Sequence, residues 1–291
     1  YGSVLEKSPT ESMGTQIYSM KEALSFGAAT VIERFIYYSG GHKGGAVTGV
    51  SGVSNKIYRA QILSPFETPA PTLDLDVKLN NTINFIPGIA FRKGLYYYRV
   101  SALFDAADPN NPDGESLPGD PLAVAVPEIV GGLVVLTLSW DQIPNAKGYN
   151  VYRVPNPGDD FKDLSLLAYV DGGSTLSYVD RGQENGDLNK TPLVEGSLGQ
   201  WRDVIQMTTP RWGHGMTWAP NPDNAAEVYL YIGKGIKDVD PGLPADYLSD
   251  YETFKITLGQ DAASKGSPFQ NVARVGAGTH TFPGEDSAPS P

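Results

Sequence analysis

Two stretches decide the fold: Arg34-Phe-Ile-Tyr-Tyr-Ser-Gly-Gly41 and, far along the chain, Val228-Tyr-Leu-Tyr-Ile-Gly-Lys-Gly235. Each is an apolar run of strand length ending at glycine, where the chain can turn through a conformation that a Cβ disfavours. The likeness extends outward. Leu24-Ser-Phe-Gly-Ala-Ala-Thr-Val31 precedes the first and Arg211-Trp-Gly-His-Gly-Met-Thr-Trp218 the second. Lys56-Ile-Tyr-Arg-Ala-Gln-Ile62 follows the first and Tyr251-Glu-Thr-Phe-Lys-Ile256 the second. Gly40 to Tyr58 is 18 residues, and so is Gly233 to Tyr251. A turn-type insertion, Ala219-Pro-Asn-Pro-Asp-Asn-Ala225, accounts for the longer first hairpin of the second copy. A repeated three-strand unit with period-2 alternation, and no helical run of comparable length, predicts an all-β chain.

The glycine pair after the second strand, with an aromatic on the third, resembles the Kelch repeat. The resemblance implies propeller-blade sheets at 1–65 and 196–258. Tyr37-Tyr-Ser-Gly-Gly41 follows the pattern; in Ile232-Gly-Lys-Gly235, Lys234 separates the glycines. Two blades do not close a propeller ring, so the resemblance also implies further blades or subunits. Residues 259–291 are expected to add a strand and a Pro/Ser/Gly-rich tail.

Between the repeats the pattern changes. Leu136-Thr-Leu-Ser-Trp140 alternates, a turn with Pro144 and Asn145 follows, and Gly148-Tyr-Asn-Val-Tyr-Arg153 alternates again. Leu166-Leu-Ala-Tyr-Val170 and Ser177-Tyr-Val-Asp180 continue the series. This is similar to the front half of a fibronectin type III domain, in the immunoglobulin-like sandwich class. The resemblance implies a core Trp140 packed by the Gly-Tyr-x-Val-Tyr-Arg strand. Strands like the last two of that family stand upstream instead, at Leu95-Tyr-Tyr-Tyr-Arg-Val-Ser-Ala-Leu103 and Leu122-Ala-Val-Ala-Val126. Residues 66–195 are either one sandwich with permuted strands or two truncated copies. The single sandwich is preferred, because half a sandwich leaves apolar faces and edges open. A sandwich inserted between the blade segments needs exit and return near each other, and 64–71 and 190–200 are the expected junctions.

Composition narrows the function. The 291 residues carry 22 Lys+Arg against 33 Asp+Glu, a formal charge of −11, and show no basic cluster of the kind that nucleic acid requires. No cysteine is present, which excludes disulfides and thiolate chemistry. It also excludes the Cys-linked copper chemistry of galactose-oxidase-like propellers. The most apolar run, Leu122 to Leu138, is broken by Pro127 and Glu128 and predicts strands, not a membrane span. The first residue is Tyr1 and no signal peptide is recognisable, so a mature or trimmed chain is expected.

Candidate chemistry is sparse. His42, His214 and His280 have no metal-ligand spacing; His214 is expected as a core histidine and His42 in an ordinary turn. No Gly-x-Ser-x-Gly elbow occurs, and Ser51 and Ser54 have no evident base. The metal candidate is the loop from Asp105 to Glu115, where Asp105, Asp108, Asn110, Asp113 and Glu115 offer oxygen ligands to calcium. Its alternative is a solvated turn-rich loop. Asp238-Val-Asp240 is a weaker acidic loop, and Asn80-Asn-Thr82 and Asn189-Lys-Thr191 match glycosylation sequons. The expected function is a non-enzymatic interaction or structural module at a cell or virion surface, as in an adhesin or filament. Its partners would be other proteins or surface glycans. The alternative is a secreted carbohydrate-binding or carbohydrate-processing protein, with Trp201, Trp212 and Trp218 as a stacking platform.

Overall fold

The computed structural model describes residues 19–44, 52–63, 79–86, 91–108, 110–128, 133–183, 186–238, 246–258 and 271–279. The architecture is all-β, with a short 3-10 turn at Phe161–Asp163. In chain order the first strands are β1 (Leu24–Ser25), β2 (Ala28–Ile32), β3 (Phe35–Ser39), β4 (His42–Lys43) and β5 (Lys56–Gln61). Next come β6 (Leu79–Ile86), β7 (Gly94–Phe104), β8 (Leu122–Val126), β9 (Leu133–Trp140), β10 (Ala146–Arg153), β11 (Ser165–Asp171) and β12 (Ser177–Asp180). The last are β13 (Arg202–Gln206), β14 (Gly215–Pro220), β15 (Glu227–Gly233), β16 (Asp250–Thr257) and β17 (Asn271–Thr279). No helix among the described residues is long and apolar enough to cross a membrane.

Two compact units result. Leu63–Gly199 belong to one; Ser19–Ile62 and the chain from Gln200 onward form the other. The first unit is sandwich-like, with sheets ordered β11-β10-β7-β8 and β12-β9-β6. β7, upstream in sequence, lies beside β10, with Val100 opposite Val151. Tyr98, Val100, Leu136, Leu138, Trp140 and Val151 meet in its core. Trp140 is buried there, its ring 5.2 Å from that of Tyr149. A buried ion pair ties the two sheets: Arg153 on β10 donates to both oxygens of Asp180 on β12, at 3.0 and 2.8 Å. Tyr98 on β7 donates to the same carboxylate at 2.7 Å. Burial, with Asp180 beside it, pushes the Tyr98 hydroxyl far above the usual tyrosine range.

The second unit has two four-stranded antiparallel sheets, β13-β5-β3-β2 and β14-β15-β16-β17. They share one core, to which the first gives Ile32, Phe35, Tyr37 and Ile57 and the second Val228, Leu230, Ile232, Phe254 and Ile256. The sheet holding Phe35–Ser39 therefore packs on the sheet holding Val228–Ile232. Among the described residues the sheets do not close a propeller ring.

The registers of the two sheets match. Ala28 faces Ser39 as Gly215 faces Gly233. Tyr38 faces Tyr58 as Ile232 faces Glu252. The bridge ladder Ser25–His42–Val53 recurs as Trp212–Ile236–Tyr247. The turns agree as well: Gly40 and Gly41 have φ of 58° and 104°, and Lys234 and Gly235 have 62° and 103°. Gly40 thus corresponds to Lys234, one residue beyond the glycine that sequence spacing selects. Lys234 occupies a left-handed conformation that a lysine seldom adopts, so the pattern of glycines alone misplaces the second turn.

Candidate functional site

The second unit carries two exposed features. One is an aromatic end. Trp212, Ile236 and Tyr247 are cross-strand neighbours, so their side chains stand in a row on one face. The backbone beneath is paired: Trp212 and Ile236 exchange both hydrogen bonds, at 3.0 and 2.9 Å, and the Leu248 amide donates to the Gly235 carbonyl at 2.8 Å. The Trp212 ring is flanked by Phe26 and His42, each with its centroid 5.9 Å away. Its indole N–H donates to the Asp238 carbonyl at 3.0 Å. Phe26 is 69% exposed and Tyr247 75%. Gly213, Lys234, Ile236, Tyr247 and Ser249 line a recess of about 370 Å³.

The backbone under this end is held in unusual conformations. Phe26 has φ of 56° and Lys234 of 62°, both left-handed without being glycine. Such residues persist where the surroundings over-determine them, often at binding sites. The surroundings here are specific. The Gly213 amide donates to the Phe26 carbonyl at 2.7 Å, and the Lys234 amide to the Asp250 carbonyl at 2.9 Å. Arg211, fully buried, donates to the Lys234 carbonyl at 3.0 Å and to Glu252 at 3.2 Å. Glu252 also accepts the Thr208 amide at 2.9 Å and Arg274 at 2.8 Å.

The other feature is a tyrosine face. Opposed residues share a sheet face, so Phe35, Tyr37 and Ile57 lie on one face of the first sheet. Their register equivalents in the second sheet are Tyr229, Tyr231 and Tyr251. Phe35, Tyr37 and Ile57 are covered by the second sheet and fully buried, while Tyr231 and Tyr251 stay 36% and 37% exposed. An ion pair lies on this face, Lys255 to Glu227 at 3.0 Å.

Several other polar groups are turned inward. Ser39 and the His214 Nε2 are 2.7 Å apart, but the serine is fully buried. Burial first, and the Arg211 charge second, lower the His214 pKa to about 4. The pair is thus a buried hydrogen bond that holds the first sheet to the segment before β14. This matches the core role expected of His214, while His42 stands on a strand against Trp212. In the calcium-candidate loop, Asp105 is exposed and accepts the Ala107 amide at 2.8 Å. Asp108 is buried and accepts the amides of Asn110 and Asn111 at 2.9 and 2.7 Å. Asn110 is also buried, and Asp113 pairs with Lys147 at 2.9 Å. Glu115 is buried, bonded by Ser101 and Tyr152, with Lys190 at 3.5 Å. Among the described residues no three His, Asp or Glu side chains form a group able to hold a metal.

Of the tryptophans proposed as a platform, Trp201 is buried, Trp218 is 40% exposed and Trp212 is half-buried beside the recess. Phe26, Tyr231, Tyr247 and Tyr251 were not marked by sequence as surface groups. Asn189 lies in an exposed turn; His280, Ser51 and Asp240 fall outside the described residues, as do the side chains of Asn80 and Asn81. No protein-family model matches the chain, and no curated protein is similar to it in sequence.

Proposed function

We propose that the chain is a non-enzymatic structural and interaction module of a larger surface assembly, such as an adhesin, filament or virion appendage. One observation carries this reading. The repeat supplies an internal control: the face that the first copy buries under a neighbouring sheet is the face that the second copy leaves open. A partly exposed face of three tyrosines is suited to association, because tyrosine contributes large area at low entropic cost and is enriched in interface cores. The interface inside the unit is heterologous, pairing one face with the opposite face of the next sheet. Such contacts propagate to a ring or an array. The occupant is therefore a further four-stranded sheet whose facing strands present aliphatic and aromatic residues, as Val228, Leu230, Ile232 and Phe254 do.

This arrangement is also what supports the Kelch-like reading of the sheets. In the first unit, β9-β10-β11-β12 run in the order of the front of a fibronectin type III domain, with β7 and β8 in the places of its last strands. That supports a permuted member of the sandwich class. The test is photo-cross-linking in the producing cells with benzoylphenylalanine in place of Tyr231. The expected adduct joins position 231 to a strand of alternating aliphatic residues ending at glycine that lies outside residues 1–291. An adduct solely between two copies of this chain, or none, overturns the assignment.

A further inference from the structure

We infer that the aromatic end of the second unit is a binding site for a neutral oligosaccharide. It lies apart from the tyrosine face and rests on its own observations. Trp212 and Tyr247 stand two strands apart, a separation of about 10 Å, with Ile236 between them in the same row. That length suits two consecutive sugar rings lying along the row. Phe26 packs on Trp212, with ring centroids 5.9 Å apart. A pyranose has apolar C–H faces and a polar rim. The site combines the same elements: rings in the row, and the polar residues Lys234, Tyr247 and Ser249 among those that line the recess beside it. Aromatic groups with a polar tip serve this mixed environment. The recess, about 370 Å³, lies toward the small end of ligand sites.

Two alternatives fit less well. An extended peptide binds by adding a strand to an open edge. Here the main-chain groups of Trp212 and Ile236 already bond each other, and the Lys237 amide donates to the Asp246 carbonyl at 3.2 Å. The site therefore offers rings more than backbone. An anionic glycan needs converging cations. Lys237 is paired with Asp246, and a chain of net charge −11 repels polyanions. The site is also preorganised: the left-handed turns at Phe26, Gly213, Lys234 and Gly235 fix the backbone under the rings before any ligand arrives.

The experiment titrates the whole chain with cellohexaose, chitohexaose, mannohexaose, maltohexaose and xylohexaose, and with a hyaluronan hexamer as the anionic comparison. Heat and Trp fluorescence are the readouts. At least one neutral hexasaccharide should bind and perturb the Trp emission. Phe26→Gly and Tyr247→Ala should each weaken that binding by about tenfold. Both residues are largely exposed, so neither variant should melt below the parent, and Phe26→Gly, which relieves a left-handed backbone, should melt at or above it. Absence of binding by every neutral sugar at millimolar concentration overturns the inference, as does binding by hyaluronan alone. So does neutral-sugar binding that neither variant weakens, since the sugar then sits elsewhere. If the sugars fail, and peptides selected from a random library bind the parent but not Tyr247→Ala, the site takes protein instead and the saccharide assignment falls.

Discussion

Trp140 ends β9 with its ring buried against Tyr149, as the alternation of Leu136-Thr-Leu-Ser-Trp140 predicts. Truncating it removes a large ring that the surrounding core cannot refill. Trp140→Ala should cost about 3–5 kcal/mol, read as a lower midpoint in a urea melt of the first unit; an unchanged midpoint would remove Trp140 from the core. His214 gives a pH signature. Its folded pKa is lowered to about 4, from an unfolded value near 6.5. The unfolded chain therefore takes up a proton at a pH where the folded chain does not. The stabilisation is complete above pH 6.5, falls as the pH drops toward 4, and is worth up to about 3 kcal/mol. His214→Asn should flatten the stability profile across that window while leaving the slope at lower pH, where carboxylates titrate. A profile as steep as the parent's would show that His214 is not the group responsible. The loop from Asp105 to Glu115 shows what residue type alone cannot reveal. Its oxygens match a calcium ligand set, yet Asp108 caps two amides and Glu115 is held by Ser101 and Tyr152. With these carboxylates engaged, melts with calcium and with chelator should coincide; an upward shift with calcium would show that the ion displaces those bonds.

Among elements, the paired strands were the most legible part of the sequence, because side-chain alternation is dictated directly by the pleat. β3 and β15, β5 and β16, and β9 and β10 all coincide with apolar alternating runs. The turn after β15 was not legible to the residue. Spacing matched Gly40 with Gly233, whereas the register matches it with Lys234. The reason is that tertiary hydrogen bonds, not residue preference, hold Lys234 left-handed. The same slip hid the tyrosine face: Tyr251, matched by spacing to the buried Tyr58, is the equivalent of Ile57 and points to the open side. The aromatic end escaped for a similar reason, since Phe26 reaches Trp212, and Tyr247 reaches Ile236, from distant segments, and neither belongs to a local motif. The two turns yield opposite predictions. At Gly40 a Cβ would lie 2.2 Å from the Arg211 carbonyl oxygen, in addition to the left-handed strain. Gly40→Ala should cost about 2–4 kcal/mol. Lys234→Gly removes that strain against a modest gain in unfolded-chain entropy, and should stabilise by about 0.5–1 kcal/mol. Thermal melts of the two variants should move in opposite directions; a loss of stability in Lys234→Gly would show that the lysine side chain matters more than its backbone.

For the whole molecule, the decisive feature is where the chain leaves the second unit and returns. β5 ends at Gln61 and β13 begins at Arg202, and the two are antiparallel partners, with Arg59 opposite Arg202. Exit and return are therefore neighbours on adjacent strands, about 4.8 Å apart. Residues 63–199 occupy the position of a hairpin loop. In the second sheet the equivalent connection joins β16 to β17 directly. An insertion between paired strands adds little closure entropy beyond that of a short loop, because the cost grows only with the logarithm of length. The second unit also has its own core, drawn from both of its sheets. Replacing residues 63–199 with a short Asn-Gly turn should thus leave a protein that folds alone. It should show β-type circular dichroism and a single cooperative melt. Gly40→Ala should destabilise this shortened protein as it does the parent, because Gly40 and Arg211 both lie within the unit. A shortened chain that lacks a cooperative transition would mean that the inserted unit is required for the two sheets to meet, and that the chain is one folding unit, not two.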